Sequence, residues 1–149
     1  MEKILKSVVI DAPPEEVFAY LCNANHLPEV SPGIVEVKNV IVTPDCGQSF
    51  DWTYRLAGIR FHGHAETVEV VKGRYHAVRN ETGIPGTFRW SVESHEDGTE
   101  ARLEIDHYEF PVPFLGRLTG PILRRLNEHE ADTVMRNLKA RLEATGQGH

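Results

Sequence analysis

The sequence predicts an α+β domain: a twisted antiparallel sheet of about seven strands, one face covered by a long C-terminal helix, with two short helices between the first and second strands. Three observations predict it. An N-terminal run rich in β-branched residues is closed by prolines. Between Ile34 and about Phe110, strand-like runs alternate with two- to four-residue turn signals. Beyond Gly120-Pro121 the apolar period becomes helical.

Lys3 to Asp11 reads as the first strand, and Ala12-Pro13-Pro14 ends it. Pro14 suits the first helical position, where its missing N–H would have no partner anyway. Glu15 and Glu16 follow in the first turn, where the helix dipole favours acids. The short helix then offers Val17, Phe18, Tyr20 and Leu21 as its buried side. Asn23 to Pro32 carries two prolines and several turn formers, so the second helix is broken. Turns are expected at Pro44 to Gly47, Ala57-Gly58, Lys72-Gly73, Ile84 to Gly86 and Asp97-Gly98, which divide the middle of the chain into about six strands. In the last helix, Leu123, Leu126, Ala131, Val134, Leu138 and Leu142 form the apolar stripe. Residues 1–145 are read as one domain, with 146–149 as a frayed tail.

Each hairpin turn fixes a register, and register decides which side chains share a face. A two-residue turn at Asp97-Gly98 sets Val92 against Leu103, Trp90 against Ile105, Phe88 against His107 and Arg89 against Asp106. A three-residue loop at Ile84 to Gly86 puts Thr82, Asn80 and Val78 beside Phe88, Trp90 and Val92, with Glu81 opposite Arg89. Lys72-Gly73 pairs Glu66 with Arg79. Ala57-Gly58 sets Tyr54 against Phe61, Trp52 against Gly63 and Phe50 against Ala65. All four turns agree on one apolar face and one charged face, although Val68 and Val70 fall on the charged side. The apolar face holds Phe50, Trp52, Tyr54, Phe61, Asn80, Thr82, Phe88, Trp90, Ile105 and His107. Large aromatics interleaved with a few polar groups are the usual lining of a small-ligand site.

Composition narrows the function classes. The 149 residues carry 16 Lys+Arg against 22 Asp+Glu, a formal charge of −6. Without a basic cluster of any length, contact with a phosphate backbone would work against the overall field, so no nucleic-acid partner is expected. No apolar run approaches the roughly 18 residues of a membrane span. No signal-peptide pattern opens the sequence, and a cytoplasmic location is expected. Cys22 and Cys46 form neither a CxxC nor a zinc spacing, and neither is assigned a neighbouring histidine. His62-Gly-His64 with Glu66 has strand spacing that suits a metal. These residues project to the charged face, where Arg79 and Glu81 offer partners, and no metal or other cofactor is expected. Arg117, Arg124 and Arg125 are followed by Glu128, Glu130 and Asp132, read as a locally neutralised, solvated helix face.

The layout, with Asp11-Ala-Pro-Pro-Glu-Glu-Val-Phe18 opening the first helix and Gly98-Thr99 beginning a strand that runs into Tyr108-Glu109-Phe110-Pro111, resembles the START-like, helix-grip superfamily (SRPBCC). Within it the chain is similar to the polyketide cyclase/dehydrase-like branch. The resemblance covers essentially the whole chain. It implies a curved sheet gripping the last helix around an apolar cavity, with the mouth near His26 to Pro32 and the loops at Pro44 to Gly47 and Ile84 to Gly86. The leading expectation is a protein that binds a small hydrophobic or aromatic, lipid-like or polyketide-like ligand at the apolar face. A cyclase/dehydrase-type enzyme using His107 and Tyr54 for proton transfer is the alternative. A protein-interaction or ribosome-associated module, recognised through Arg79, Arg89 and Arg102, is the third reading. The sequence assigns no oligomeric state.

Overall fold

A computed structural model describes residues 3–56, 58–80, 82, 86–106 and 120–147, with the side chains of 56, 120–124 and 145–147 excepted. The elements are β1 (Ile4–Ile10), α1 (Pro14–Leu21), a 3-10 turn (Ala24–His26) running into α2 (Leu27–Val30), β2 (Ile34–Val42), β3 (Gln48–Leu56), β4 (Ile59–Val71), β5 (Tyr75–Asn80), β6 (Gly86–His95), β7 (Gly98–Asp106) and α3 (Gly120–Gln147). The strands form one antiparallel sheet in the order β1-β7-β6-β5-β4-β3-β2. This is the predicted fold class, a helix-grip arrangement with short helices between β1 and β2.

α1 starts as the sequence dictates. Pro13 is extended at φ −64°, ψ 148°, Pro14 takes the first turn, and Glu15 and Glu16 face the helix N-terminus. Val17 and Phe18 are buried, while Tyr20 and Leu21 are only half-buried. The Tyr20 ring stacks on His26 with centroids 4.0 Å apart, and its hydroxyl donates to Glu29 Oε1 at 2.6 Å. These contacts hold the broken second helix against the end of α1.

The register of the β3–β4 hairpin is as expected, with Trp52 opposite Gly63 and Tyr54 opposite Phe61. The β4–β5 hairpin keeps the expected Glu66–Arg79 pair, whereas the next two hairpins are displaced. The β6–β7 turn lies at Glu96-Asp97, because His95 pairs with Gly98, so Trp90 faces Leu103 and Phe88 faces Ile105. β5 ends at Asn80 and β6 begins at Gly86, a longer connection than predicted, and Val78 therefore sits opposite Phe88 and Asn80 opposite Gly86. Both displacements are even. An even slip changes each residue's partner but leaves it on the same face, so the apolar face survives. At the β4–β5 hairpin the loop is one residue longer, and a bulge between Thr67 and Glu69 compensates. The extra residue leaves Val68 exposed and returns Val70 to the inner side opposite His76.

α3 lies across β1 and the inner face. Its buried residues are Asn127, Ala131, Val134, Met135, Leu138 and Leu142. Leu126, placed in the stripe from the sequence, is exposed instead, and the Leu123 side chain lies outside the described residues. Polar contacts fix the helix along its length. Glu143 Oε2 accepts from Asp11 N at 3.0 Å and from Lys139 Nζ at 2.6 Å, and Lys139 Nζ also donates to Val9 O at 2.7 Å. Asn137 Nδ2 donates to Val30 O at 3.0 Å. Farther along, Glu130 Oε1 accepts from Gly33 N at 2.9 Å and Ser31 Oγ at 3.4 Å. Glu130 is thus a tether between helix and sheet edge, not part of a solvated face. Asp132 does meet solvent, beside Lys6 Nζ at 3.1 Å.

The cysteines depart most from expectation. Cys22, at the C-terminus of α1, and Cys46, in the β2–β3 turn at φ 75°, form a disulfide with Cα atoms 5.2 Å apart, within the ordinary range. Both are buried, and their ligand atoms and those of His76 lie within 4.8 Å of one another. Helix α1 brings Cys22 over the sheet and the turn bends Cys46 back to it, a meeting between residues 24 apart that spacing alone does not reveal.

Gly63 and Gly33 let large rings approach the backbone. A Cβ at Gly63 would fall on the Trp52 indole, and one at Gly33 on the Tyr54 ring. Gly63→Ala should therefore destabilise the chain by about 1–3 kcal/mol, the usual cost of overpacking, read as a lower urea midpoint at constant slope. A loss under about 0.5 kcal/mol, within the ordinary range of surface substitutions, would show that the indole is not seated there.

Candidate functional site

Between the inner face and α3 lies a cavity of about 140 Å³. β3 contributes Phe50, Trp52 and Tyr54, β5 contributes His76, Val78 and Asn80, β6 contributes Phe88 and Trp90, and β7 contributes Leu103 and Ile105. Asn127, Glu130, Ala131 and Val134 close it from α3, and Leu21, Ala24, Leu27 and Ser31 from the α1–α2 segment. The alternation of β3, β5, β6 and β7 produces this lining, since every second residue points to the same side. The volume is close to that of a dry cavity that takes up benzene, and below the roughly 300–1,000 Å³ of drug-sized sites.

Seven sequence-predicted residues line the cavity: Phe50, Trp52, Tyr54, Asn80, Phe88, Trp90 and Ile105. Phe61 is buried opposite Tyr54 without lining it. Thr82 is a correction. It lies in an exposed bend beyond the end of β5, and its Oγ1 accepts from His64 N at 3.1 Å. A three-residue loop at Ile84 to Gly86 would keep Thr82 in the strand, but β5 ends at Asn80. His107 lies outside the described residues, as do Ile84 and Pro85 of the expected mouth. Leu27 and Ser31 of the second-helix segment are on the wall.

The polar lining also includes His76, Gln48, Ser31, Asn127 and Glu130, none of them among the sequence-predicted site residues. His76 continues the 80, 78, 76 alternation along β5, so the signal was present in the sequence. Gln48 follows the Cys46 turn, where nothing in the pattern fixes orientation. Both are buried. Gln48 Nε2 donates to Leu21 O at 3.4 Å, while Gln48 Oε1, Trp52 Nε1 and both ring nitrogens of His76 have no hydrogen-bond partner among the described residues. The His76 ring also meets Phe18 edge-on with centroids 5.8 Å apart.

Electrostatics sets the protonation of these groups. Burial lowers the His76 pKa to about 4, leaving a neutral imidazole with one donor and one acceptor nitrogen. Burial, reinforced by the Glu130 carboxylate, raises the Tyr54 pKa, so the phenol remains a hydrogen-bond donor. On the opposite face, His64 Nδ1 meets Asp51 Oδ1 at 2.7 Å and Nε2 meets Glu66 Oε1 at 3.0 Å. The hydrogen bond to Asp51, then that to Glu66, raises the His64 pKa. With both nitrogens facing carboxylates, the ring is suited to carry a proton rather than a metal. His62 is engaged separately, with Nδ1 3.0 Å from Thr53 Oγ1. Arg89, read as a recognition residue, contacts the Tyr75 hydroxyl at 2.8 Å and Asp106 Oδ2 at 3.3 Å.

Residues 1–143 match the family model described as polyketide cyclase/dehydrase and lipid transport. The chain belongs to this family. Solved structures similar to this family member include TTHA0849 from Thermus thermophilus, with a TM-score of 0.83 at 17% identity over 98% of this chain and 100% of that one. The Zhui aromatase/cyclase from a Streptomyces species has a TM-score of 0.80 at 14% identity, covering 99% and 96%. A START superfamily protein from Mycobacterium smegmatis has a TM-score of 0.78 at 15% identity, covering 96% and 98%. At these identities the likeness is one of fold. Among curated proteins none matches the chain. No helix among the described residues is long and apolar enough to cross a membrane.

The depressed His76 pKa has a definite sign in stability. The unfolded histidine takes up a proton below about 6.5 while the folded one resists until about 4. Stability is therefore fully present above pH 6.5 and is lost as pH falls from there toward 4, by at most about 3 kcal/mol. In disulfide-intact protein, His76→Leu should remove this part of the acid limb in urea unfolding measured across that window. Parallel wild-type and variant curves would contradict it.

Proposed function

We propose that this protein binds a small, mostly apolar ligand bearing a hydroxyl or carbonyl group in the cavity between the sheet and α3. One observation carries the reading: polar atoms of buried Gln48, Trp52 and His76 that have no hydrogen-bond partner among the described residues surround an aromatic-lined space. A buried polar group without a partner costs about 1–3 kcal/mol, so a ligand that supplies the missing hydrogen bonds gains affinity beyond apolar burial. The cavity volume favours a single aromatic ring or a short acyl chain over a fused polycycle. Phe50, Trp52, Phe88, Trp90 and Ile105 would supply the apolar contact. Tyr54 and Asn80 would supply further polar contacts.

The family description and the aromatase/cyclase among the fold neighbours support a second reading, a cyclase/dehydrase-type enzyme. Tyr54, kept protonated, suits donation to a developing oxyanion, and His107 would be its proton-transfer partner. The interaction-module reading has less support, because Arg89 and Arg102 already contact acids on their own sheet. A small hydrophobic molecule is thus the proposed partner, without nucleic acid or cofactor. A cytoplasmic location is part of the proposal; there the Cys22–Cys46 disulfide would face a reducing thiol pool.

Trp52 and Trp90 are the chain's two tryptophans, and both line the cavity. Titration with 4-ethylphenol should therefore quench intrinsic fluorescence saturably. Ethylbenzene should bind about tenfold more weakly, the worth of one satisfied hydrogen bond. Ala131→Leu, which fills the cavity from α3, should abolish both signals. Absence of saturable quenching in folded wild-type protein would overturn the reading.

A further inference from the structure

We propose that Cys22, Cys46 and His76 form a redox-gated binding site for a zinc-type divalent cation, closed while the two sulfurs are bonded and opened by reduction. The three side chains are buried, and one ligand atom from each lies within 4.8 Å of the others. His76 is 1% exposed and has no hydrogen-bond partner on either ring nitrogen among the described residues, so an imidazole lone pair is available beside the sulfurs. Two thiolates and one imidazole are a soft donor set that suits tetrahedral zinc. Two thiolate charges also neutralise the ion, which burial demands.

The disulfide and the metal exclude each other. Around a tetrahedral zinc with Zn–S near 2.3 Å, two sulfurs stand roughly 3.8 Å apart, so they cannot remain bonded. A dithiol supplies the two electrons and two protons that break the Cys22–Cys46 bond, and itself closes to a disulfide. The cation then displaces two protons from the thiols as it binds Cys22 Sγ, Cys46 Sγ and one His76 nitrogen. His76 and Gln48 belong to the cavity wall, so a fourth ligand would come from that wall or from a molecule in the cavity. The elements joined are the end of α1 and the β2–β3 turn, with β5 as the third support. Loss of the disulfide would then be offset by a metal crosslink at the same place. The three protein ligands are the same whatever molecule the cavity takes.

The test is a Co²⁺ titration of the full chain before and after treatment with a phosphine, which reduces the disulfide as water supplies oxygen to phosphorus and hydrogen to the sulfurs. Reduced protein should bind one Co²⁺ per chain with sulfur-to-metal charge-transfer bands and tetrahedral visible bands, and Zn²⁺ should displace it. Untreated protein should show neither band. His76→Ala and, separately, His76→Asn should weaken Co²⁺ binding at least tenfold, since loss of even an outer-shell partner of a ligand costs roughly 10- to 100-fold. If reduction loosens the fold, Co²⁺ should restore the far-ultraviolet circular dichroism, because binding and folding are coupled at such sites. Failure of Co²⁺ to give thiolate bands in reduced protein, equal binding by oxidised protein, or unchanged affinity in both His76 variants would overturn the proposal. Bands of nitrogen and oxygen ligation alone would count against it in the same way, by placing the cation at exposed histidines.

Discussion

The strict alternation of β3, β5, β6 and β7 places Trp52, Tyr54, Phe88 and Trp90 on one side of the sheet, and the rest of the molecule depends on covering that side. A sheet with one apolar face cannot leave it in water, and α3 is the element long enough to lie across it. Coverage is incomplete by construction. The buried stripe of α3 includes small Ala131 and polar Asn127 opposite rings of full size, and Glu130 ties the helix to Gly33 at the sheet edge. The space between is the cavity. Gly33 and Gly63 belong to the same constraint, because each lets an aromatic ring of β3 lie flat against the backbone.

The polar groups within this apolar space give it chemical character. A purely structural core would pair or exclude them, since an unpaired buried donor or acceptor is expensive. Gln48, Trp52 and His76 instead present atoms with no partner among the described residues, and Tyr54 keeps its proton beside Glu130. The same wall backs onto the Cys22–Cys46 disulfide, which lies beside His76. On β5 this imidazole lies opposite Trp90 on one side and Val70 on the other.

Much of this was legible in the sequence because strand faces are robust to even register errors. Trp90, expected opposite Ile105, faces Leu103 and keeps its place on the inner side. The Val70 anomaly was also informative: it marked the bulge at Val68, where one extra residue restores the alternation. Errors arose where alternation stops. Thr82, expected on β5, lies past its end, and Leu126, expected in the helical stripe, is exposed. The disulfide and Gln48 were not legible, because they depend on where a helix end and a tight turn meet in space. His76 is legible from the same alternation, two residues from Val78 on β5.

A crystal structure of the disulfide-intact chain, at a resolution that shows ordered water, would test most directly whether this space is a polar-edged binding cavity. Density is expected within it, from water or a bound molecule, within hydrogen-bonding distance of Gln48 Oε1, Trp52 Nε1 or a His76 nitrogen. Collapse of Ala131 and Val134 of α3 onto Trp52 and Trp90, with His76 and Gln48 bonded to protein partners and no volume remaining, would contradict it.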